Sequence, residues 1–444
     1  MELPVDFCQL IRQQYGDETA EKLFEGLSEE PSVSIRLNPL KCKESLSVCF
    51  SIEKAVPVPW CPDAYYLNER PTFTFDPLFH AGVYYVQEAG SMYLAEMLRQ
   101  FMSKDRPLVA LDLCAAPGGK STLLRSLLPE GSLLVSNEPM PKRAQILAEN
   151  ITKWGHPACV VTRNYPADFS PFIEQFDLLV TDVPCSGEGM FRKDEGAIRD
   201  WSLENVETCW RRQRDILSDI WPTLRPGGLL IYSTCTFNHF EDEDNVAWIA
   251  SHLGAEILAD RHFLPGRDRG EGFYIAALRK NTEEMNNGVR PHYSLTTDED
   301  FKMNNGVRPH YSPAEMGAFI RKETKDSMVL YPEAHATLMQ KMQRSLHCLV
   351  CGVVEKEKGV KDWMPAHAYA MSLAYEHGSY PEYELTYDEA IAYLRHEALR
   401  IDAPKGYVLI TYQGVPLGFV KSIGNRANNL YPQEWRIRTT HIPN

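Results

Sequence analysis

The sequence predicts an α/β protein built around a parallel sheet with helices on both faces. From about residue 106, short apolar segments alternate with helical patterns, and each segment is apolar on both of its faces. That alternation is typical of a buried parallel sheet. Ligands of such sheets bind at the carboxyl ends of the strands, so the functional site is expected there.

The individual elements are predicted as follows. Strands are expected over 108–113, 132–137, 159–162, 176–181 and 229–233, and helices over 120–128, 141–154 and 201–224. The last of these strands follows the turn Pro226-Gly227-Gly228. We take 106–280 as the catalytic domain.

Two further regions flank this domain. Residues 1–105 mix an amphipathic helix over 7–27 with a strand over 32–37, which predicts an α+β region packed on the catalytic domain. Residues 281–312 carry the string MNNGVRPHYS twice, at 285–294 and 303–312. We interpret this as a duplicated linker, with a functional tandem motif as the alternative. Residues 313–444 form a C-terminal region whose strands over 407–412 and 418–423 predict a small β-rich module near 390–444.

Composition narrows the class of protein. Of 444 residues, 44% are hydrophobic and 24% charged, as in a soluble globular protein. There is no signal-peptide pattern and no apolar run of about 20 residues, so a cytoplasmic protein without membrane contact is expected. The net charge of −14 leaves nucleic-acid binding to a local basic surface. Cys348 and Cys351 have metal-ligand spacing, but without a second pair we expect structural thiols and no metal.

A glycine-rich turn follows the first predicted strand. It reads Cys114-Ala115-Ala116-Pro117-Gly118-Gly119-Lys120, and small residues between a strand and a helix let the backbone approach a ligand closely. It is neither a dinucleotide fingerprint nor a phosphate loop. Glu138 follows the second strand, where a carboxylate grips ribose hydroxyls in nucleotide-binding sheets. A generic loop with a helix-capping Glu is the alternative interpretation.

Two cysteines follow neighbouring strands. Asp182-Val183-Pro184-Cys185 ends the fourth strand, and Thr234-Cys235-Thr236 ends the next. Both thiols should therefore face one crevice. One buried structural cysteine per strand is the alternative, but it does not require both thiols to lie among polar residues at strand ends.

These motifs together resemble those of RNA cytosine-5 methyltransferases of the Sun type, closest to the bacterial branch that modifies small-subunit ribosomal RNA. The matching strings are CAAPGGK, DVPCSGEGMFRKD, and LRPGGLLIYSTCT followed by the acidic stretch 241–243 with Asn245. The strings IRLNPLK and GVYYVQE in the N-terminal region match as well. The match covers most of residues 30–280.

The resemblance implies a Rossmann-like fold with S-adenosylmethionine as cofactor. It places 114–120 around the methionine part, Glu138 on the ribose, and Asp182 near both cofactor and base. Cys235 would be the nucleophile, and Cys185 would assist product release. The family has an acidic residue near the adenine after the third strand; here Asn164 is the candidate, and an amide can bond an adenine edge.

The residue types suit this chemistry. A thiolate that adds to carbon 6 of cytosine puts electron density on carbon 5, which can then take a methyl group, and cysteine can leave again. Asp182 could protonate or hydrogen-bond ring nitrogen 3. DNA cytosine-5 enzymes use a Pro-Cys nucleophile, which would be Cys185. The paired thiols follow the RNA-enzyme pattern and favour Cys235.

The expected partner is RNA, and a monomer is favoured. Because the target base must leave its stack, we expect basic contacts at Arg36 and Lys193. The C-terminal module resembles the small RNA-binding (PUA-like) module of the ribosomal enzymes, and there Lys421 and Arg426 are the candidates. Three alternatives are a transfer RNA methyltransferase, a non-catalytic RNA-binding assembly factor and a dinucleotide oxidoreductase. The intact thiols and turn disfavour the second, and the missing dinucleotide fingerprint disfavours the third.

Overall fold

The structure is a computed structural model that describes residues 2–42, 48, 50, 54–282, 318–359 and 362–439. Both copies of the repeated decapeptide, at 285–294 and 303–312, lie outside the described residues. Within the described residues, no helix is both long and apolar enough to cross a membrane.

The N-terminal region combines helices with a small sheet. The predicted helix over 7–27 is two helices, because Gly16 adopts a positive φ of 77° between them. The elements are α1 (Val5–Tyr15), α2 (Asp17–Leu27), β1 (Val33–Leu37), β2 (Val56–Pro57), β3 (Ala64–Leu67), α3 (Pro77–His80), β4 (Tyr84–Val86) and α4 (Leu94–Phe101). The four strands form one sheet in the order β2-β3-β1-β4.

The central region alternates strands and helices as predicted. Its elements are β5 (Val109–Asp112), α5 (Gly119–Leu127), β6 (Leu133–Asn137), α6 (Pro141–Trp154), β7 (Cys159–Thr162), β8 (Phe176–Asp182), α7 (Glu195–Asp200), α8 (Leu203–Ile220), β9 (Leu224–Thr234), α9 (Glu243–Trp248), β10 (Ala255–Phe263) and β11 (Phe273–Lys280). Every predicted strand and helix of this region is confirmed to within a few residues.

The C-terminal region contains the remaining elements. They are β12 (Phe319–Glu323), β13 (Ser327–Pro332), α10 (Ala336–Ser345), β14 (Cys348–Cys351), β15 (Val353–Lys358), β16 (Trp363–Pro365), α11 (His367–Met371), β17 (Glu382–Glu384), α12 (Tyr387–Leu394), β18 (Gly406–Tyr412), β19 (Val415–Ser422) and β20 (Ala427–Asn429). Strands β17 to β20 form one sheet of the β-rich module, and β12, β13, β15 and β16 form another.

The main sheet has eight strands in the order β10-β11-β9-β8-β5-β6-β7-β14. The five strands from β5 to β9 are parallel, as predicted. Strands β10 and β11 extend one edge antiparallel. At the other edge β14, which carries Cys348 and Cys351, pairs antiparallel with β7, so the C-terminal region completes the central sheet.

The two flanking regions share a hydrophobic core. Ile35, Phe75 and Tyr84 of the N-terminal region belong to one buried cluster with Ile391 and Val408 of the C-terminal module. The Tyr387 hydroxyl also donates to the backbone carbonyl of Phe75 at 3.0 Å. The module is thereby held against the N-terminal region.

Candidate active site

The glycine turn connects β5 to α5 and buries a carboxylate behind it. Asp112 is fully buried, and its Oδ2 accepts a 2.6 Å hydrogen bond from the Ser121 hydroxyl. Its Oδ1 is buried without a hydrogen-bond partner among the described residues. Burial is the main reason that the pKa of Asp112 rises to about 7. Gly118 has a φ of 118°, which lets the turn expose backbone toward this end of the sheet.

Glu138 lies where β6 ends. It is buried, its Oε1 accepts the Met140 N–H at 2.9 Å, and its Oε2 lies 3.3 Å from Arg143 Nη1.

Asn164 follows β7. Its side-chain oxygen accepts the His347 N–H at 2.9 Å, and its Nδ2 donates to Asp168 at 3.1 Å. Since the C-terminal region engages this acceptor, an adenine contact at Asn164 stays a prediction.

The structure brings the two predicted thiols together. The Sγ atoms of Cys185 and Cys235 lie 3.0 Å apart, and the Cys235 backbone N–H points at Cys185 Sγ from 3.4 Å. Both are free thiols and partly exposed. The hydrogen bond with Cys235, together with burial, raises the pKa of the Cys185 thiol. Two thiolates at this separation would repel each other, and the raised pKa favours the protonated form of Cys185.

Lys120 and Asp182 face the same crevice. Lys120 Nζ lies 2.9 Å from Asp182 Oδ2, and Asp182 Oδ1 accepts the Ser233 hydroxyl at 2.9 Å. Burial alone would lower the pKa of Lys120, but attraction to Asp182 outweighs it and the pKa is raised. The same ammonium interacts electrostatically with Cys235, so a positive charge is available to stabilise a thiolate there.

Glu188 is a central residue that the sequence analysis did not single out. It is fully buried, lies three residues after Cys185, and accepts hydrogen bonds from the loop after Cys235 and from Trp201. Its donors are Thr236 Oγ1 at 2.8 Å, Phe237 N at 2.7 Å, Trp201 Nε1 at 2.9 Å, and Asn238 N and Nδ2 at 3.1 and 2.9 Å. This carboxylate ties the loop after Cys185 to the loop after Cys235.

A second buried carboxylate supports the same loops. Glu241 accepts the Ser186 N–H at 3.1 Å and Gln213 Nε2 at 2.7 Å. Gln213 also donates to the Pro184 carbonyl at 3.0 Å and accepts the Tyr232 hydroxyl at 2.9 Å. Glu241 belongs to the acidic stretch that the motif match contained, but sequence alone offers no sign that its carboxylate faces inward.

The predicted RNA contacts differ in their exposure. The prediction for Arg36 is wrong, because this side chain is buried and its guanidinium donates to Thr122 Oγ1 at 2.6 Å and to Gln87 Oε1 at 3.1 Å. It supports the glycine turn from behind. Lys193 is partly exposed and lies 3.2 Å from Glu271 Oε1. Lys421 and Arg426 are exposed on the C-terminal module and stay candidates for RNA contact.

The residues around the turn fit S-adenosylmethionine. The fit rests on the partnerless Asp112 Oδ1, the positive-φ turn at Gly118, and the Glu138 carboxylate where β6 ends. A buried acceptor without a donor is costly unless a ligand or solvent satisfies it. Residues 114–120, Glu138 and Asp182 would hold the cofactor.

Three family models match different parts of this chain. The family model for 16S rRNA methyltransferase RsmB/F matches residues 101–279. The N-terminal domain of 16S rRNA methyltransferase RsmF matches 3–89, and the RsmF PUA domain matches 380–437. Two solved structures share the fold over 63% of this chain: PH0851 has a TM-score of 0.54 at 23% identity and 66% coverage of that chain. The structure of NSun6 from Pyrococcus horikoshii with SFG has a TM-score of 0.53 at 20% identity, and the match covers 99% of that chain.

Curated relatives match over nearly the whole chain. Ribosomal RNA small subunit methyltransferase F of Klebsiella pneumoniae is 30% identical over 90% of this chain and 89% of its own length. The protein of that name from Cronobacter sakazakii is 28% identical over 97% of this chain and 96% of its own length. The chain belongs to the RsmB/F family of 16S rRNA methyltransferases.

Proposed function

We propose that this chain transfers a methyl group from S-adenosylmethionine to carbon 5 of a cytosine in small-subunit ribosomal RNA, with Cys235 as nucleophile. The observation that carries the proposal is the 3.0 Å contact between the Cys185 and Cys235 sulfurs, beside an ammonium from the glycine turn. Family membership supports the reaction, and the names of the relatives support the RNA class. We expect this reaction in the cytoplasm.

Cys235 forms the covalent bond to the base. Its thiolate, stabilised by Lys120, adds to carbon 6, and the electrons of the 5,6 double bond move toward carbon 5 and the ring. S-adenosylmethionine supplies the electrophilic methyl carbon. Carbon 5 bonds to that carbon as the bond from methyl to sulfur breaks. Asp182, beside Lys120, would meet the ring-nitrogen edge of the base. Its carboxylate can accept a hydrogen bond from the exocyclic amino group or, when protonated, donate one to ring nitrogen 3.

Release restores the aromatic ring. A base removes the proton from carbon 5, the C–H electrons re-form the double bond, and the sulfur of Cys235 departs as a thiolate. We assign the proton of the pair to Cys185, whose pKa is raised and whose sulfur lies 3.0 Å from that of Cys235. Its S–H can therefore hydrogen-bond the departing thiolate, which is how we assign it a role in release.

The test uses purified protein and tritiated S-adenosylmethionine. Substrates are small ribosomal subunits, naked ribosomal RNA and transfer RNA from a strain lacking the gene, with bisulfite sequencing of the product. We expect label in small-subunit RNA, its loss in Cys235→Ala, and a trapped protein–RNA adduct in Cys185→Ala. Cys348→Ala, at the far sheet edge, is the matched control and should keep full activity.

The other outcomes would contradict the proposal. Label confined to transfer RNA would make that the substrate. RNA binding without label in any RNA would leave a non-catalytic binding protein. An adduct in Cys235→Ala rather than Cys185→Ala would exchange the roles of the thiols.

A further inference from the structure

Three side chains with metal-ligating groups lie close together near the end of β9, where Asp242 is hydrogen-bonded to Thr234. Asp242 and Glu243 lie where α9 begins, and His262 lies near the end of β10. One donor atom from each lies within 4.8 Å of the other two. His262 Nε2 is 2.8 Å from Glu243 Oε1, and His262 Nδ1 is 3.9 Å from Asp242 Oδ2.

Each of these side chains also has a buried atom that no described residue satisfies. Asp242 is fully buried, and its Oδ1 accepts the Thr234 hydroxyl at 2.5 Å. Its Oδ2, Glu243 Oε2 and His262 Nδ1 are buried and have no hydrogen-bond partner among the described residues. Buried polar atoms in native proteins are almost always paired, so three such atoms in one cluster point to a missing ligand.

The residues around this cluster offer a further possible metal ligand and little positive charge. His239 Nε2 lies 3.9 Å from Glu243 Oε1, and the Tyr15 ring packs edge-on against His239 and His262 at 5.0 and 6.0 Å. Arg267 is the nearby cation, but its Nη2 donates to the His262 carbonyl and its Nε pairs with Asp268. Among the described residues, the ion-pair partners of these two carboxylates are histidines, with no lysine or arginine paired to either.

We infer that Asp242, Glu243 and His262 form a binding site for one divalent transition-metal cation, with His239 available as a fourth ligand. Imidazole nitrogen with carboxylate oxygen suits Zn²⁺, Mn²⁺ or Co²⁺ better than Mg²⁺ or Ca²⁺, which take oxygen ligands.

The cation would position residues rather than take part in methyl transfer. Asp242 is bonded to Thr234, the residue before Cys235, so a metal at Asp242 would fix the end of β9. Through Tyr15 the same site contacts α1, whose Phe7 packs on Phe191 and Phe237 at 5.1 and 6.3 Å. One ion would thus link the N-terminal helix, the nucleophile's strand and β10.

The experiment measures metal binding by the full-length chain without an affinity tag. Elemental analysis gives the metal content after purification, and titration of metal-stripped protein with Zn²⁺, Mn²⁺, Co²⁺ and Mg²⁺ gives affinities and shifts in Tm. The variants are His262→Gln and Asp242→Asn; the second keeps an acceptor for Thr234. Two controls are His252→Gln, an exposed histidine on the preceding helix, and Cys348→Ser, which disables the other pair with metal-ligand spacing.

We expect one transition metal per chain, a Co²⁺ spectrum that shows nitrogen and oxygen ligation, and at least about tenfold weaker binding in both site variants. The controls should bind as wild type does. Absence of binding and of any Tm response in wild type would overturn the inference. So would binding that only Cys348→Ser abolishes, or stability that depends on His262 and pH but not on metal, which would indicate a protonated His262 bridging the carboxylates.

Discussion

The loops behind the thiols and the glycine turn both bury a carboxylate, but they satisfy it differently. Glu188, on the loop after Cys185, receives hydrogen bonds from three residues of the loop after Cys235 and from Trp201. Asp112 has one donor, Ser121, and an oxygen without a partner among the described residues. A fully bonded buried carboxylate holds structure together, whereas an incompletely bonded one leaves capacity for a ligand. We read the first region as support and the second as a binding surface.

The largest effect should come from removing the support. Glu188→Ala leaves an indole N–H, a hydroxyl, backbone N–H groups and an amide without their acceptor, and each costs about 1–3 kcal/mol. We expect a loss of about 5 kcal/mol in the free energy of unfolding, measured by chemical denaturation. Glu207→Ala, on an exposed side chain, should change it by less than about 0.5 kcal/mol. A loss at position 188 as small as the control's would show that the network carries little stability.

The sequence pointed to the candidate thiols of this site but not to the residues that support them. Cys185 and Cys235 stand out because two thiols among polar residues at the ends of neighbouring strands are poor core residues. Glu188 does not stand out, since only the fold shows that its carboxylate points inward. The same limit explains Arg36, which is basic like an RNA contact but lies 1% exposed beneath the turn.

In the fold, too, features set by local sequence pattern were predicted, whereas features set by tertiary packing were not. Apolar runs predicted β5 to β9 because each is buried on both faces, so periodicity and length sufficed. Strand β14 was not predicted as part of this sheet, because pairing across nearly 200 residues with β7 depends on tertiary packing. Likewise only the φ of Gly16, not its neighbours' amphipathic pattern, divides α1 from α2.

Because Asp112 is buried with fewer hydrogen bonds than Glu188, we expect it to make the free energy of unfolding depend on pH. Its pKa is about 7 in the folded protein and about 4 in an unfolded chain. Between these values the folded state holds a proton that the unfolded state has lost. Stability therefore falls as pH rises from about 4 and levels off above about 7. From pH 5 to pH 8 we expect a loss of about 3 kcal/mol from this group.

Asp112→Asn removes the titrating group while keeping an acceptor for Ser121. The difference in unfolding free energy between wild type and variant, measured at pH 5 and pH 8, should change by that amount. Asp105→Asn, an exposed aspartate, provides the matched control and should show no such change. A pH-independent difference for Asp112→Asn would mean that Asp112 is ionised in the folded state.

Lys120 connects the two regions, because it belongs to the turn but pairs with Asp182 and interacts electrostatically with Cys235. Lys120→Met should leave the fold intact and lower kcat by about 100-fold, the usual effect of deleting one group that stabilises charge in the transition state. Since the ammonium favours the thiolate, its loss should also shift the pH–rate profile to higher pH. Lys142→Met, on the exposed start of α6, is the control. An unchanged profile with reduced kcat would assign Lys120 to positioning Asp182 instead.

The smallest effect should lie farthest from both carboxylates, on the C-terminal module. If Lys421 and Arg426 contact phosphates, the double variant Lys421→Ala with Arg426→Ala raises KM for RNA by roughly tenfold. It should also reduce the slope of log binding constant against log salt concentration by about two, one for each charge removed. It should leave kcat at saturating RNA unchanged. Lys322→Ala with Lys325→Ala, two exposed lysines on or beside β12, removes the same charge elsewhere. Equal effects from both pairs would mean that net charge, rather than this surface, governs RNA affinity. A fall in kcat confined to the first pair would mean that the module also aligns the target cytosine with Cys235.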